Sequence, residues 1–180
     1  MNITEAGPPT TVTDDQLARI VGPVADADAG RGRPRPAQTL SHRFLVREFG
    51  SGAVMRFEDM DFPIGLTHVP TRHFLRETGL PEDGSLFQFD TDVLLPTLAE
   101  YCVDERPEEF YDRQLPTDAD RLIRLGRLTE GPSPVLDGTT GAVYGWDERD
   151  FTLTPLSTDI STFAITLWLL HRGWGRGGRS

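Results

Sequence analysis

The run Ser133-Pro134-Val135-Leu136-Asp137-Gly138-Thr139-Thr140-Gly141-Ala142-Val143-Tyr144 constrains the fold of this chain more than any other. It reads as strand, tight turn, strand. Asp137-Gly138 and Thr140-Gly141 supply the positive-φ positions that a short connection needs, and Leu136 and Val143 are expected on facing strands. A further strand-like run follows, Phe151 to Thr154. An apolar helix then spans Asp159 to His171, where Ile160, Phe163, Ala164, Leu167 and Leu170 form one stripe. Ser157 or Asp159 is placed to cap its start.

Upstream, Leu40, Phe44, Leu45, Glu48 and Phe49 fall at helical spacing, and Gly50 is a natural stop. Ala53 to Phe57 reads as a strand. Pro70 suits the first turn of a second helix, Gly79 suits its left-handed stop, and Pro81 bars continuation. Phe74, Leu75 and Thr78 would face the core. Leu86 to Phe89 reads as a short strand, and Leu122 to Leu128 as another that alternates imperfectly around Gly126. Leu94 to Val103 is mostly apolar but interrupted by Pro96, and its pattern selects no element. This order predicts the α+β class: a single domain with a central, mainly antiparallel sheet flanked by helices.

The chain has 180 residues, enough for one domain with a proper core and short for two. The domain is expected over residues 39–173, with a Gly/Arg tail at 174–180. Residues 1–38, rich in Gly, Pro, Ala and Asp, are expected to be poorly ordered. Thr13 and Gln16 there form a capping box for one short helix over Asp14 to Val21. The basic run Arg31-Gly32-Arg33-Pro34-Arg35-Pro36 reads as a solvated linker rather than a nucleic-acid arm, because the chain behind it is acidic.

The net charge is −10, and all 18 basic residues are arginine. Such a field repels nucleic acid and anionic membranes and favours cationic partners. No apolar run approaches the roughly 20 residues needed to span a bilayer, and the N-terminus has no secretory pattern. A cytoplasmic protein is expected. Cys102 is the sole cysteine. Between Tyr101 and Val103 it reads as a small core hydrophobe.

Little in the chain is equipped for chemistry. His68 and His73 are five apart and do not share a helix face, so they make no metal pair. His42 and His171 lie on separate predicted helices. Asp90 and Asp92 resemble the start of a calcium loop, but the Gly and Glu that such a loop needs are missing at the right offsets. Without lysine there is no Walker motif, and no nucleophile elbow is present. Trp174 with Arg176 and Arg179 lies in the Gly-rich tail of an acidic chain, a poor platform for a base. Asp147, Glu148 and Asp150 cluster between two predicted strands; hydrolysis would require them to converge with a histidine. No catalytic residue, cofactor or metal is expected.

The segment left to consider is Asp104-Glu105-Arg106-Pro107-Glu108-Glu109-Phe110-Tyr111-Asp112. From Glu100 through Asp120 there are eight acidic and two basic residues, a local net of −6. Asp104, Glu105, Glu108, Glu109 and Asp112 could steer a basic partner, with Phe110 or Tyr111 as its anchor. The alternative is an ordinary solvated loop.

Several short motifs in order resemble the SUKH superfamily of bacterial immunity proteins, and most closely its fourth immunity family, a branch frequent in actinobacteria. They are Leu66-Thr67-His68-Val69-Pro70-Thr71-Arg72-His73-Phe74-Leu75 leading to Gly79-Leu80-Pro81, then Leu125-Gly126, then Leu136 to Tyr144, and finally Pro155 to Asp159 before Ile160 to Phe163. The resemblance spans roughly residues 40–172. It implies a single α+β domain and a protein that binds and neutralises a toxin of a contact-dependent or polymorphic system, often a nuclease or nucleic-acid deaminase. It brings no catalytic residues. The family also includes scaffolding and regulatory members, so a module that links proteins without inhibiting them is the alternative.

Overall fold

A computed structural model describes residues 40–89, 95–105 and 115–177. The expectations for residues 1–38, for Asp90 and Asp92, and for Arg179 lie outside the described residues.

Helix α1 spans His42–Phe49. The Ser41 hydroxyl accepts the Phe44 amide at its start, and Gly50, at φ 102°, ends it. Strand β1 (Val54–Met55) is shorter than its sequence suggests. A 3-10 turn at Asp59–Asp61 leads to helix α2, Val69–Glu77. Gly79 stops α2 in the left-handed region, where a side chain would strike the Met55 carbonyl. Strands β2 (Leu80–Pro81) and β1 pair antiparallel.

Strand β3 (Phe87–Gln88) and helix α3 (Leu98–Glu105) follow. The helix lies in the stretch whose pattern selected no element, and a capping box explains it. Thr97 N donates to Glu100 Oε2 at 2.8 Å, and Glu100 N donates to Thr97 Oγ1 at 3.2 Å. The expected strand over Leu122 to Leu128 is two strands, β4 (Leu122–Arg124) and β5 (Arg127–Leu128). Gly126, at φ 150°, breaks them, because its backbone lies against Gln88. Thus β5 leaves the main sheet to pair with β3.

Strands β6 (Ser133–Asp137), β7 (Val143–Asp147) and β8 (Thr152–Ser157) complete a four-stranded antiparallel sheet in the order β4-β6-β7-β8. Leu136 pairs with Val143, the register expected from sequence. Only Gly141 of the turn takes a positive φ. Gly138 is required for a different reason: a side chain there would overlap the Gly65 carbonyl.

Helix α4 runs from Ile160 to Gly177. Asp159 caps it by accepting the Thr162 amide at 2.9 Å. The helix continues past His171, where the expected helix ended, and through Gly173. Gly173 is outside the left-handed region and meets nothing, so it is one more helical residue.

Both sheet faces are covered. Ile123, Leu136 and Val143 join Leu45, Leu75, Phe163, Ala164 and Leu167 in the main core. Alternation along the strands sends Leu122, Val135 and Trp146 to the other face, where Leu98 and Cys102 of α3 cover them. Cys102 is a buried thiol, as expected. The architecture is a single α+β domain with antiparallel sheets and flanking helices. Among the described residues no helix is long and apolar enough to cross a membrane.

Candidate protein-binding surface

Helix α3 sorts its side chains sharply. Leu98 and Cys102 face the sheet, while Val103 is 65% exposed and Asp104 is exposed beside it. Its last residues, Asp104 and Glu105, begin the acidic segment singled out in the sequence. Glu108, Glu109, Phe110, Tyr111 and Asp112 lie outside the described residues.

Beneath α3 the sheet carries a polar knot. Arg124, only 3% exposed, donates to Glu148 Oε1 at 3.0 Å. Ser133 Oγ donates to the same oxygen at 3.4 Å. The Tyr101 ring covers the guanidinium, with 3.7 Å from Cζ to the ring centroid. A buried guanidinium requires such neighbours, because desolvating an uncompensated charge costs several kcal/mol. Glu148 therefore serves the sheet.

The other two carboxylates of that cluster are also engaged or peripheral. Asp147 Oδ1 accepts the Arg149 amide at 2.8 Å and the Asp150 amide at 3.4 Å, closing the β7–β8 turn. Asp150 is exposed. The histidines are elsewhere. His171 Nδ1 lies 2.6 Å from Asp83 Oδ2, with its ring against Phe49. His68 Nδ1 meets Thr71 Oγ1 at 2.8 Å, and His42 Nδ1 meets the Thr78 carbonyl at 3.1 Å. The convergence that hydrolysis would require does not occur among these side chains. No group of three or more metal-binding side chains is placed to hold an ion among the described residues.

Sequence reading passed over the loop between β1 and α2. Two large apolar side chains there stand in water, Met60 (78% exposed) and Ile64 (99%), and Val69, the first residue of α2, is 72% exposed. Beside Met60 is an open groove of about 670 Å³, floored by Phe57 and walled by Arg56, Glu58, Arg76 and Glu77. Asp59 is held by Arg72 at 3.0 Å and Arg76 at 3.3 Å. The Arg72 hydrogen bond comes first among the influences that hold the Asp59 carboxyl below its ordinary range. The available signal was Glu58-Asp59-Met60-Asp61-Phe62-Pro63-Ile64, an acid–apolar alternation that Pro63 cuts off after Phe62.

Two of the motifs that carried the family resemblance meet in space. Thr67 and His68, at the entry to α2, both donate their amides to the Gly138 carbonyl in the hairpin turn. A family model described as SUKH-4 immunity protein matches residues 40–177, which is more than half of the chain. No curated protein and no solved structure gave a match.

Proposed function

The chain belongs to the SUKH-4 immunity protein family, and on that premise we propose that it binds and neutralises a basic protein toxin in the cytoplasm of the bacterium that makes both. The toxin acts on nucleic acid, as a nuclease or a nucleic-acid deaminase. The inhibition is stoichiometric and non-catalytic, and it needs no metal or cofactor.

The observation that carries this reading is the charge of the chain set beside its family. The net charge is −10, and −6 of it is concentrated between Glu100 and Asp120. A nucleic-acid enzyme presents a basic cleft that attracts phosphates. Carboxylates of the segment Asp104, Glu105, Glu108, Glu109 and Asp112 would compete for that cleft, while Phe110 or Tyr111 supplies a buried anchor. Exposed Val103 adds apolar surface at the foot of that segment.

The test is capture of partners by the tagged full-length chain from its native lysate, followed by activity assays of each partner. One basic partner that degrades or deaminates nucleic acid, and that loses activity when equimolar chain is added back, supports the proposal. Partners that keep full activity when bound would replace it with a scaffold.

A further inference from the structure

We propose that the outer face of α1 and α4 docks an acidic protein segment: Arg47 and Arg172 take its carboxylates, and Leu169 takes an apolar side chain between them. This surface stands apart from the toxin contact and does not depend on it.

The first argument is what the two helices bring together. Phe44 of α1 and Trp168 of α4 meet edge to face, with ring centroids 5.2 Å apart. Arg47 lies over the Phe44 ring at 5.3 Å, and Arg172 lies over the Trp168 ring at 5.1 Å. Ile165 and Leu169, one turn apart on α4, are 36% and 54% exposed. Tryptophan, arginine and large apolar side chains in contact are the composition of interface centres.

The second is charge. Helix α4 carries no Asp or Glu from Ile160 to Gly177, in a chain whose net charge is −10. The carboxylate of α1 is Glu48, and both its oxygens are engaged. Glu48 Oε2 accepts the Trp168 indole N–H at 3.0 Å, and Oε1 accepts Arg47 Nε at 3.3 Å. Asp83, which reaches α4 from the turn between β2 and β3, is held by His171 at 2.6 Å. Arg172 has neither a hydrogen bond nor an ion pair among the described residues. Exposed Arg43, one turn before Arg47, adds a further positive charge. The free charge on this face is therefore cationic.

The third is how the cations are held. A guanidinium lying over a ring donates in its own plane, so stacking leaves N–H groups for a carboxylate. It also orders the side chain before binding, which lowers the entropy cost. Nucleic acid and anionic bilayers carry dense charge that a chain of net −10 repels. The Trp168 face that Arg172 covers is closed to a stacking base. A symmetric second copy would set arginine against arginine. A short segment with two or three carboxylates around an apolar side chain meets the local charge without a polyanion's field.

The probe is a synthetic helical peptide with glutamates flanking leucines spaced four apart, titrated into the full-length chain; its twin carries lysine for every glutamate. The acidic peptide should bind with Kd below about 100 μM and shift the Trp168 indole N–H signal in nuclear magnetic resonance spectra. Its lysine twin should do neither. Arg47→Ala and Arg172→Ala should each raise Kd at least about fivefold, and Leu169→Asp at least about tenfold. Arg127→Ala, at an exposed site on β5, should leave it within about twofold. Circular dichroism confirms folding, and Arg172→Gln decides the matter if Arg172→Ala is unfolded. A weaker Kd for the acidic peptide, or one that the folded arginine variants leave unchanged, overturns the inference. A 20-base oligonucleotide or phosphatidylserine vesicles bound through Arg47 and Arg172 in place of the peptide would make the occupant a polyanion and also overturn it. So would a free chain that is a dimer split by Leu169→Asp, since a second copy then covers the face.

Discussion

Gly138 and His68 are joined by a backbone hydrogen bond of 2.8 Å, from the His68 amide to the Gly138 carbonyl. Thr67 donates to the same carbonyl at 2.9 Å. The turn of the hairpin is thereby docked on the entry to α2, and two motifs far apart in sequence become one structural joint. A side chain on Gly138 would overlap the Gly65 carbonyl, and one on Gly141 would overlap His68 at a φ of +80°. Gly138→Ala should therefore cost about 1–3 kcal/mol through overpacking. Gly141→Ala adds a left-handed backbone penalty of roughly 1–2 kcal/mol to its clash. Urea denaturation of each variant checks this; midpoints equal to wild type would mean the joint is loose.

Asp159 should account for part of the stability of α4. Its carboxylate accepts the Thr162 amide at 2.9 Å and the Ser161 hydroxyl at 2.6 Å. Asp159→Ala is expected to cost about 1 kcal/mol, the usual worth of an N-cap. A thermal melt that does not move would remove Asp159 from the account.

Acid should weaken the fold through the same kind of group. Burial disfavours ionisation at Asp83, Asp137 and Asp159, yet hydrogen bonds outweigh it and hold all three carboxyls below their ordinary value. The donors include His171 at Asp83, Thr139 at Asp137 and Ser161 at Asp159. A folded-state pKa below the unfolded one, about 3.9 for Asp, means the contribution is whole above that pH. It is lost as pH falls through the folded value. Stability measured in urea should decline from about pH 5 toward pH 3, and Asp159→Asn should flatten that decline. Equal slopes in wild type and variant would contradict the assignment.

The buried guanidinium gives a sharper test of the sheet. Removing Glu148 as Glu148→Ala strips Arg124 of its 3.0 Å partner at a position 3% exposed. Breaking one side of such a pair costs about 3–5 kcal/mol. Replacing both residues, Arg124→Met with Glu148→Met, should cost less than Glu148→Ala alone. A double variant no more stable than the single would show that the charge is not the source of the penalty.

Legibility in sequence followed the physics of each element. The hairpin was readable down to the Leu136–Val143 register because alternation and turn residues agree locally. The first two helices and the start of α4 were readable from stripes and caps. Helix α3 was not legible although Thr97-Leu98-Ala99-Glu100 is a capping box, because Pro96 interrupts the apolar run Leu94 to Val103 and the helix itself is only two turns long. The break at Gly126 depends on contact with Gln88, which local pattern does not contain. For the same reason Gly138 was read as a positive-φ turn residue, when its role is close approach to Gly65. Of the candidate site, the acidic segment was visible as composition, whereas exposure of Ile64 is a property of the folded loop.

Steering by the acidic segment makes a kinetic prediction. Charge reversal at Glu108 and Glu109 should slow association with the toxin about tenfold at low salt and leave dissociation nearly unchanged. Raising ionic strength should reduce the wild-type association rate toward that of the variant. Stopped-flow rates that ignore both changes would remove this segment from the encounter.

The most direct measurement is a titration of toxin activity against the purified chain at toxin concentrations well above Kd. The account predicts a linear fall to zero with a break at one chain per toxin, complete as soon as binding equilibrates. Full inactivation at substoichiometric chain, deepening with time, would mean an enzyme. Activity that persists in saturating chain, with the complex formed, would mean that it binds without neutralising.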